Sequence, residues 1–572
     1  MTNHKGFSTV EILISISIFS TLVIGLVGAI SFGLQATAFA GIKQRATLIA
    51  QEGVEAVRNM RDTNYTNLTD GAHGITIANN TWGFSGTQDI NGIFTRSINI
   101  STIDSLTKQI TTTVTWPQGS GQLSITQYLT NWQTAASQIK NGMAVFANGG
   151  NTSNRISYQI LNATINTWGS TQDTVNVDTN VTNKIAYYTN LTSSSTRNEK
   201  VLISRHYDGT SQYIYSQVWN GTAWGNLRLL SSWVSNQFLD VQNFSGTYLN
   251  NGDFLITYSD NTATPKFIVW NGTSWGVQTS MQTLTNIPVY IVTKARPSTN
   301  EIMSVMTDQS NNVSSTYFSG GTYVSTNWSA ITQLSTAGAS NNVKYVDFDW
   351  SKATSTVGAI SFNTGNKRIT KTQLSIVIWT ANGLGGGSFG TPTIIATLPK
   401  TLGSISINGR IGTNDFMSCA KDVSIPPVYT CIDTSFTPAV NSTTVLTNNT
   451  DSGIQSSFAL SYFGKTGNEY LSVYSDNTTT PKYNEYTSAW SIANSATPAL
   501  TSNLATVLMS NKSVDDDIMI FMSDYGNKLY SVVWSGNTKT FYTSPTGLAF
   551  ATVGTNGPSV PTTYWYSFAW DN

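Results

Sequence analysis

Tyr258-Ser-Asp-Asn-Thr-Ala-Thr-Pro-Lys266 returns 216 residues later as Tyr474-Ser-Asp-Asn-Thr-Thr-Thr-Pro-Lys482, a separation of four periods of 54. Two further markers keep step with it. An acidic residue opens an apolar run at Glu199, Asp253, Glu301, Asp415, Glu469 and Asp517, with Val357 in the remaining place. Seven residues beyond five of these acids stand Asp260, Asp308, Asp422, Asp476 and Asp524, while His206 and Thr364 take the other two places. An aromatic closes each unit at Trp168, Trp224, Trp275, Trp328, Phe389, Phe436, Trp490 and Phe541. Three markers in register mean that most of this chain is an internal repeat.

One repeat reads as four short strands: Phe238–Phe244, Phe254–Tyr258, Lys266–Trp270 and a last one near Val277. Asn220-Gly221 and Asn271-Gly272 carry the signature of tight type I′ hairpin turns. Four antiparallel strands per 40–55 residues, repeated, predict an all-β propeller. The closing aromatics predict eight blades, or seven if one marker is misaligned. The first repeat lacks an innermost strand, because Met143-Ala-Val-Phe146 already corresponds to the second. The chain ends in Tyr564-Trp-Tyr-Ser-Phe-Ala-Trp570, which matches the innermost strand Tyr345-Val-Asp-Phe-Asp-Trp350. The last strand is therefore expected to complete the first blade, closing the ring and removing exposed sheet edges. A solenoid or stacked sandwiches share the period but do not explain the split repeat.

Outward from the array, the amino terminus carries a different signal. Lys5-Gly6-Phe7-Ser8-Thr9-Val10-Glu11 precedes 31 residues, Ile12 to Ile42, without a charge. A spanning helix needs about 20 apolar residues, and Ile12 to Leu34 supplies 23. An acid at the edge of such a segment is unfavourable, by roughly 2.5–3.5 kcal/mol at a membrane centre and less near its end. The arrangement resembles the class III signal of type IV prepilins and pseudopilins. That resemblance implies cleavage between Gly6 and Phe7, N-methylation of Phe7, and pairing of Glu11 with a neighbouring subunit's amino terminus during assembly. It further implies other pilin subunits and a prepilin peptidase as partners. The protein would sit in the cytoplasmic membrane with its amino terminus inside, then in an extracellular pilus. A secretory signal ending at Ala38-Phe39-Ala40 is the rival reading, and a plain membrane anchor another. Against the secretory signal, the helical pattern continues past Ala40 through Ile42, Ala46, Ile49, Gly53, Val57 and Met60, and no proline interrupts residues 7–62.

After Asp62 come turn residues and then three strand-like runs, Gly92–Ile103, Leu106–Trp116 and Gln122–Trp132. A long helix with a small antiparallel sheet is the pilin layout, so Phe39 to Met60 should bury against that sheet. The expected fold is thus an α+β pilin module followed by a propeller. Its segments are a leader at 1–6, a helix at 7–62, a sheet at 63–133, a linker at 134–141 and the propeller at 142–572.

Charged residues are 10% of the 572, with 30 Lys and Arg against 30 Asp and Glu. Zero net charge points away from a nucleic-acid partner. Cys419 and Cys431 fall symmetrically about Ile425 on neighbouring strands, which suits a cross-strand disulfide outside the cytoplasm. No Cys/His spacing suggests zinc, and no cofactor is expected. Asp173, Asn176, Asp178 and Asn180 make a loose oxygen cluster that resembles no EF-hand loop. His206, at a place where other repeats carry Asp, is expected at a solvated strand end. Ser259-Asp260-Asn261 departs from the Ser-x-Asp-x-Gly boxes of sialidase propellers, so no enzymatic activity is expected. Trp224 and Trp275, just past their hairpin tips, and Trp328 could stack on sugar faces or pack between blades. The functional expectation is a minor pilin presenting a propeller for adhesion to a surface glycan or protein. The alternatives are a secretion-system pseudopilin contacting cargo and a membrane-anchored glycan hydrolase.

Overall fold

The computed structural model describes residues 8–571 apart from 79–80, 104–106, 118–119, 131–140, 148–153, 163–166, 180–183, 236–240, 337–343, 365–371, 384, 411, 424, 451–456, 464–468, 497–498, 513–515, 537, 543–550 and 555–563. The chain divides into two compact units, Met1–Gln138 and Ile139–Asn572.

The first unit is built on one helix, α1 (Thr9–Thr63), of 55 residues. At about 1.5 Å per residue it is roughly 80 Å long. Ser8 and Glu11 start it as a capping box: Ser8 Oγ accepts from the Val10 N–H at 3.3 Å, and the Glu11 carboxylate accepts from the Ser8 N–H at 3.0 Å. Each satisfies a backbone donor that the first turn leaves without a partner. The sheet beside α1 runs in the order Gly71–His73, Phe94–Thr102, Thr107–Trp116, Gly121–Thr130, with Asp89–Asn91 also paired to Phe94–Thr102. Alternation places Phe94, Arg96, Ile98, Ile100, Ile110, Thr112 and Val114 inward.

Small residues let the helix approach closely. A Cβ on Gly53 would stand 2.9 Å from Thr112 Cγ2 and 3.1 Å from Arg96 Cδ. The Arg96 guanidinium crosses the interface, donating to the Ile49 carbonyl at 2.9 Å and to Glu52 at 3.0 Å, with Asp89 at 2.8 Å. Burial of α1 begins at Ala46 and ends at Met60, whereas Phe39 is 48% exposed. The expected buried face from Phe39 onward is therefore too long. Strands of ten residues reach only about 34 Å, so the sheet runs out well before the helix does.

The second unit is a propeller-like all-β domain. Among the described residues it holds eight antiparallel sheets, each built around a four-stranded meander. The innermost strands of the second to eighth sheets are Ile185–Ser193, Phe244–Tyr248, Pro288–Ala295, Val346–Trp350, Leu402–Gly409, Phe458–Phe463 and Leu504–Asn511. Each packs beside the next. The first sheet is assembled from both ends of the unit: Tyr566–Trp570 pairs with Gly142–Ala147, which pairs with Ile156–Asn162. Tyr566–Trp570 in turn lies between the innermost strands of the second and eighth sheets. The Leu191 N–H donates to Ser567 Oγ at 3.0 Å on one side, and Trp570 Nε1 donates to the Ser510 carbonyl at 3.1 Å on the other.

The repeated nonapeptide has a local cause. Asn261 and Asn477 adopt φ of 65° and 64°, a left-handed conformation that Asn tolerates. The preceding Asp260 and Asp476 each accept from the backbone and hydroxyl of the Thr two residues on. Two local expectations need correction. The third sheet's innermost strand is Phe244–Tyr248, which pairs with Phe254–Tyr258, and Ser245 Oγ and Thr247 Oγ1 accept from the Thr293 and Ala295 N–H groups of the next innermost strand; of the expected strand Phe238–Phe244, residues 238–240 lie outside the described residues. The Asn-Gly hairpins are not type I′, since Gly221 and Gly272 have positive φ (96° and 92°) but their asparagines do not. Instead Asn220 and Asn271 use their side-chain oxygens to accept the N–H groups two and three residues on, which holds a longer loop.

Candidate functional site

Where the eight innermost strands converge, they enclose a cavity of about 430 Å³, within the usual range for small-molecule sites. Two lysines and a carboxylate reach its wall: Lys294, Lys344 and Asp347. Each ammonium has a carboxylate partner, and Asp349 is shared with Lys352. Lys344 pairs with Asp347 at 2.8 Å, and Lys294 with the buried Asp349 at 3.1 Å. Asp347 also accepts from the Phe348 N–H at 2.9 Å, and Asp349 from the Gly409 N–H at 3.0 Å. Burial alone would raise the Asp349 carboxyl, but Lys294 and Lys352 bring it below its ordinary value. Burial pulls Lys344 down, yet the Asp347 carboxylate and Tyr564 outweigh it and hold the ammonium above its ordinary value. Burial, with Asp347 and Tyr564 nearby, pushes the Tyr290 phenol far up. All three shifts move groups away from neutrality. The wall presents ion pairs beside hydroxyl-bearing side chains.

The recurrent acids lie away from this cavity, and several of them tie neighbouring sheets together. Glu199 accepts from Tyr248 at 2.9 Å and Trp270 Nε1 at 3.0 Å, both on the third sheet. Asp253 accepts from Tyr323 of the fourth sheet at 2.6 Å, and Glu469 pairs with Lys539 of the eighth at 2.5 Å. Burial and these carboxylates push the Tyr248 and Tyr323 phenols above their ordinary value. The later acids cap turns: Asp422 accepts the Val428 N–H at 2.8 Å and Asp524 the Lys528 N–H at 2.9 Å.

The closing aromatics reach the opposite way. Trp224 packs against Tyr158 of the first sheet, Trp328 against Phe267 of the third and Phe541 against Tyr483 of the seventh. Trp275 is half-buried on Trp270 and donates to the Asn226 carbonyl of the second sheet at 2.7 Å. Trp328, at 2% exposure, has no ring face open to a ligand, whereas Trp224 and Trp275 keep part of theirs.

His206 corrects the expectation of a solvated strand end. It is fully buried, with Nδ1 3.0 Å from the Lys184 carbonyl and Nε2 2.9 Å from Ser204 Oγ. The contact with the Lys184 carbonyl is tertiary, and no alignment of repeats reveals it. Burial depresses its pKa to about 4. Cys419 and Cys431 face each other on paired strands and form a disulfide with a Cα separation of 4.1 Å. In the loose oxygen cluster, Asp173 accepts from Ser157 and Asp178 pairs with Lys184 at 2.7 Å; Asn180 lies outside the described residues. No group of three or more His, Cys, Asp or Glu residues could hold a metal among the described residues. Gly6 and Phe7 lie outside the described residues. Glu11 is at the start of α1, the one helix among the described residues long and apolar enough to cross a membrane.

No protein-family model matches this sequence, and no curated protein matches it. Among solved structures, the BP39L lectin from Burkholderia pseudomallei is similar at 11% identity, with 63% of this chain and 98% of that one covered and a TM-score of 0.46. AofleA from Arthrobotrys oligospora is similar at 9% identity, covering 68% and 90%, TM-score 0.37. The periplasmic gluconolactonase PpgL of Pseudomonas aeruginosa is similar at 7% identity, covering 76% and 99%, also with a TM-score of 0.37. Likeness at this level assigns neither ligand nor chemistry.

Proposed function

We propose that the chain is a type IV pilin-like subunit whose second unit, an eight-bladed propeller, is an extracellular recognition head. The carrying observation is the division of α1. From Ala46 to Met60 it packs on its own sheet, while its first half leaves Val10, Leu13, Phe19, Ile24 and Phe32 uncovered. A bilayer before assembly, and a core of neighbouring helices afterwards, are the two surroundings that cover such a surface. The Gly6-Phe7 junction and Glu11 ahead of it supply the processing and assembly signals of that family. Glu11 has a local task as well, since it completes the capping box with Ser8. On release of the leader, pairing of Glu11 with another subunit's terminal amine would set register rather than add much stability.

The cycle of innermost strands supports eight blades, and Tyr566–Trp570 closes the ring. So bulky a head fits a pilus tip or a low-abundance position better than every subunit of a packed shaft. Recognition has two candidate places: the outer strands around Trp224 and Trp275, and the axial cavity. Mass spectrometry of the mature amino terminus tests the subunit reading. N-methylated Phe7 is the expected result, and a chain beginning at Gly41 would replace it with secretion. Glu11→Ala should leave cleavage intact and abolish incorporation into fibres.

A further inference from the structure

Charge around the axial cavity does not cancel. Its lining holds two ammonium groups, Lys294 and Lys344, and one carboxylate, Asp347. Asp347 already accepts from Lys344 at 2.8 Å, the Phe348 N–H at 2.9 Å and the Ile407 N–H at 3.4 Å. Asp349 serves two cations at once, Lys294 at 3.1 Å and Lys352 at 3.2 Å, and also accepts the Gly409 N–H at 3.0 Å. Lys294, Lys344 and Lys352 therefore share only Asp347 and Asp349, and the surplus positive charge lies with the two lysines on Asp349. Lys352 has a further partner, since its ammonium stands 5.5 Å from the centre of the Tyr462 ring. Lys294 has no second anion among the described residues, and its side chain is 38% exposed.

Many hydroxyls of the lining are committed to the fold. Ser245 and Thr247 accept the Thr293 and Ala295 N–H groups, and Thr293 Oγ1 is bonded to Thr257 and Ser304. Other lining groups keep a donor to spare. Asn190 accepts from Thr192 through Oδ1, and its Nδ2 meets no acceptor among the described residues. Ser406 is half-buried on the sixth sheet, and the buried Thr189 Oγ1 has no partner inside the protein. An ammonium, an amide and two hydroxyls thus remain to be met, while the one carboxylate of the lining is already engaged.

We infer that the axial cavity binds a small organic carboxylate, whose anionic group meets the Lys294 ammonium and the spare donors beside it. The ligand supplies the countercharge that Asp349 cannot give to two lysines at once. An ammonium–carboxylate bond is roughly twice as strong as one between neutral groups. Val292, Leu460 and Met509 also line the cavity and give the body of the ligand apolar contact, so that a few polar groups fix its orientation. An acidic sugar of a surface glycan and a free organic acid share this chemistry. The inference rests on the recognition reading above but not on the pilin reading.

The test is isothermal titration of the full chain in a non-ionic detergent without a sugar headgroup, at low ionic strength. The probes are glucuronate and N-acetylneuraminate as acidic sugars, hexanoate as an acid without a sugar, and methyl glucoside as the neutral comparator. At least one carboxylate should bind, and methyl glucoside roughly tenfold more weakly or not at all. Binding of an acidic sugar points to a glycan as the source, and binding of hexanoate alone to a free acid; either result upholds the inference. Lys294→Met keeps the aliphatic stem, leaves Asp349 paired with Lys352, and should weaken binding about ten- to a hundredfold, the worth of one charge-assisted hydrogen bond. Lys294→Arg should recover part of that loss. Ser406→Ala, which asks least of the fold, should cost about two- to tenfold. Equal affinity for glucuronate and methyl glucoside overturns the inference, as does unchanged carboxylate affinity in a Lys294→Met protein that melts cooperatively. So does loss of binding in Trp275→Ala with Lys294→Met unaffected, which moves the ligand to the outer edge. If no carboxylate binds the unaltered chain, the inference falls by itself. Recognition by the outer strands is judged apart from it, by whether binding to a glycan array is lost in Trp275→Ala.

Discussion

His206 offers a measurement in which the structure sets both sign and size. Its ring is enclosed between the Lys184 carbonyl, Ser204 Oγ and the edge of Tyr215, whose ring centre is 5.5 Å away. The neutral tautomer fits, with Nδ1–H donating to the carbonyl and Nε2 accepting from the serine hydroxyl. A second proton would put a cation in a site closed off by burial and near the Lys184 ammonium, so the pKa falls from 6.5 to about 4. The unfolded chain therefore binds the proton more readily than the folded one between those values. Stability is full above pH 6.5 and declines as pH falls toward 4. At about 1.36 kcal/mol per pKa unit the complete loss is roughly 3 kcal/mol, of which about 2 kcal/mol appears between pH 7.5 and 5.0. Denaturant unfolding followed by tryptophan fluorescence at those two pH values gives the total change, to which carboxylates also contribute. His206→Asn retains a donor toward Lys184 but cannot titrate there, so the change in the unaltered protein should exceed that in the variant by about 2 kcal/mol. Equal pH dependence in the two proteins would refute the assignment of a buried neutral imidazole.

Glycines of α1 should divide by position. Gly53→Leu drives side-chain atoms into Thr112, Arg96 and Ile98 and should destabilise the first unit by about 1–3 kcal/mol, read as a lower thermal midpoint. Gly33→Ala meets nothing within 4 Å in this chain and should raise helix stability by up to about 1 kcal/mol, so any loss of fibre assembly would report packing against other subunits. Removing residues 564–572 strips Gly142–Ala147 of its partner strand and leaves an open sheet edge. Self-association on size-exclusion chromatography is expected, with partial rescue when a peptide of residues 564–572 is added. A monomeric, cooperatively melting truncation would refute the role of that strand in closure.

Several elements were legible because their causes are local. The long helix needs little more than apolar residues without proline, whereas the capping box of Ser8 and Glu11 that starts it was found only in the structure. The nonapeptide at Tyr258 and Tyr474 recurs because an Asp-capped turn with a left-handed Asn reforms wherever those residues occur. The match of Tyr564–Trp570 to Tyr345–Trp350 is written in side-chain order, and the strand pairing follows it. Elsewhere the same local reasoning misplaced details. The run Phe238–Phe244 alternates like a strand, yet the paired strand begins at Phe244, where Ser245 and Thr247 bond the backbone of Thr293 and Ala295 on the next innermost strand, partners 48 positions away. His206 aligned with turn-capping aspartates, and nothing nearby in sequence announces that Lys184 lies over it.

Sequence alone determined the kinds of element, their period and the two-part organisation, since backbone propensity and hydrophobic periodicity act over a few residues. Tertiary structure alone decided what those elements enclose. Glu199 meets Tyr248 and Trp270, residues 49 and 71 positions away, and the axial cavity draws Thr247, Asp347, Leu460 and Met509 from four different repeats. Such a site is a property of ring closure. Each repeat supplies an innermost strand for its own packing reasons, and a cavity lined from several repeats exists only once those strands are brought side by side.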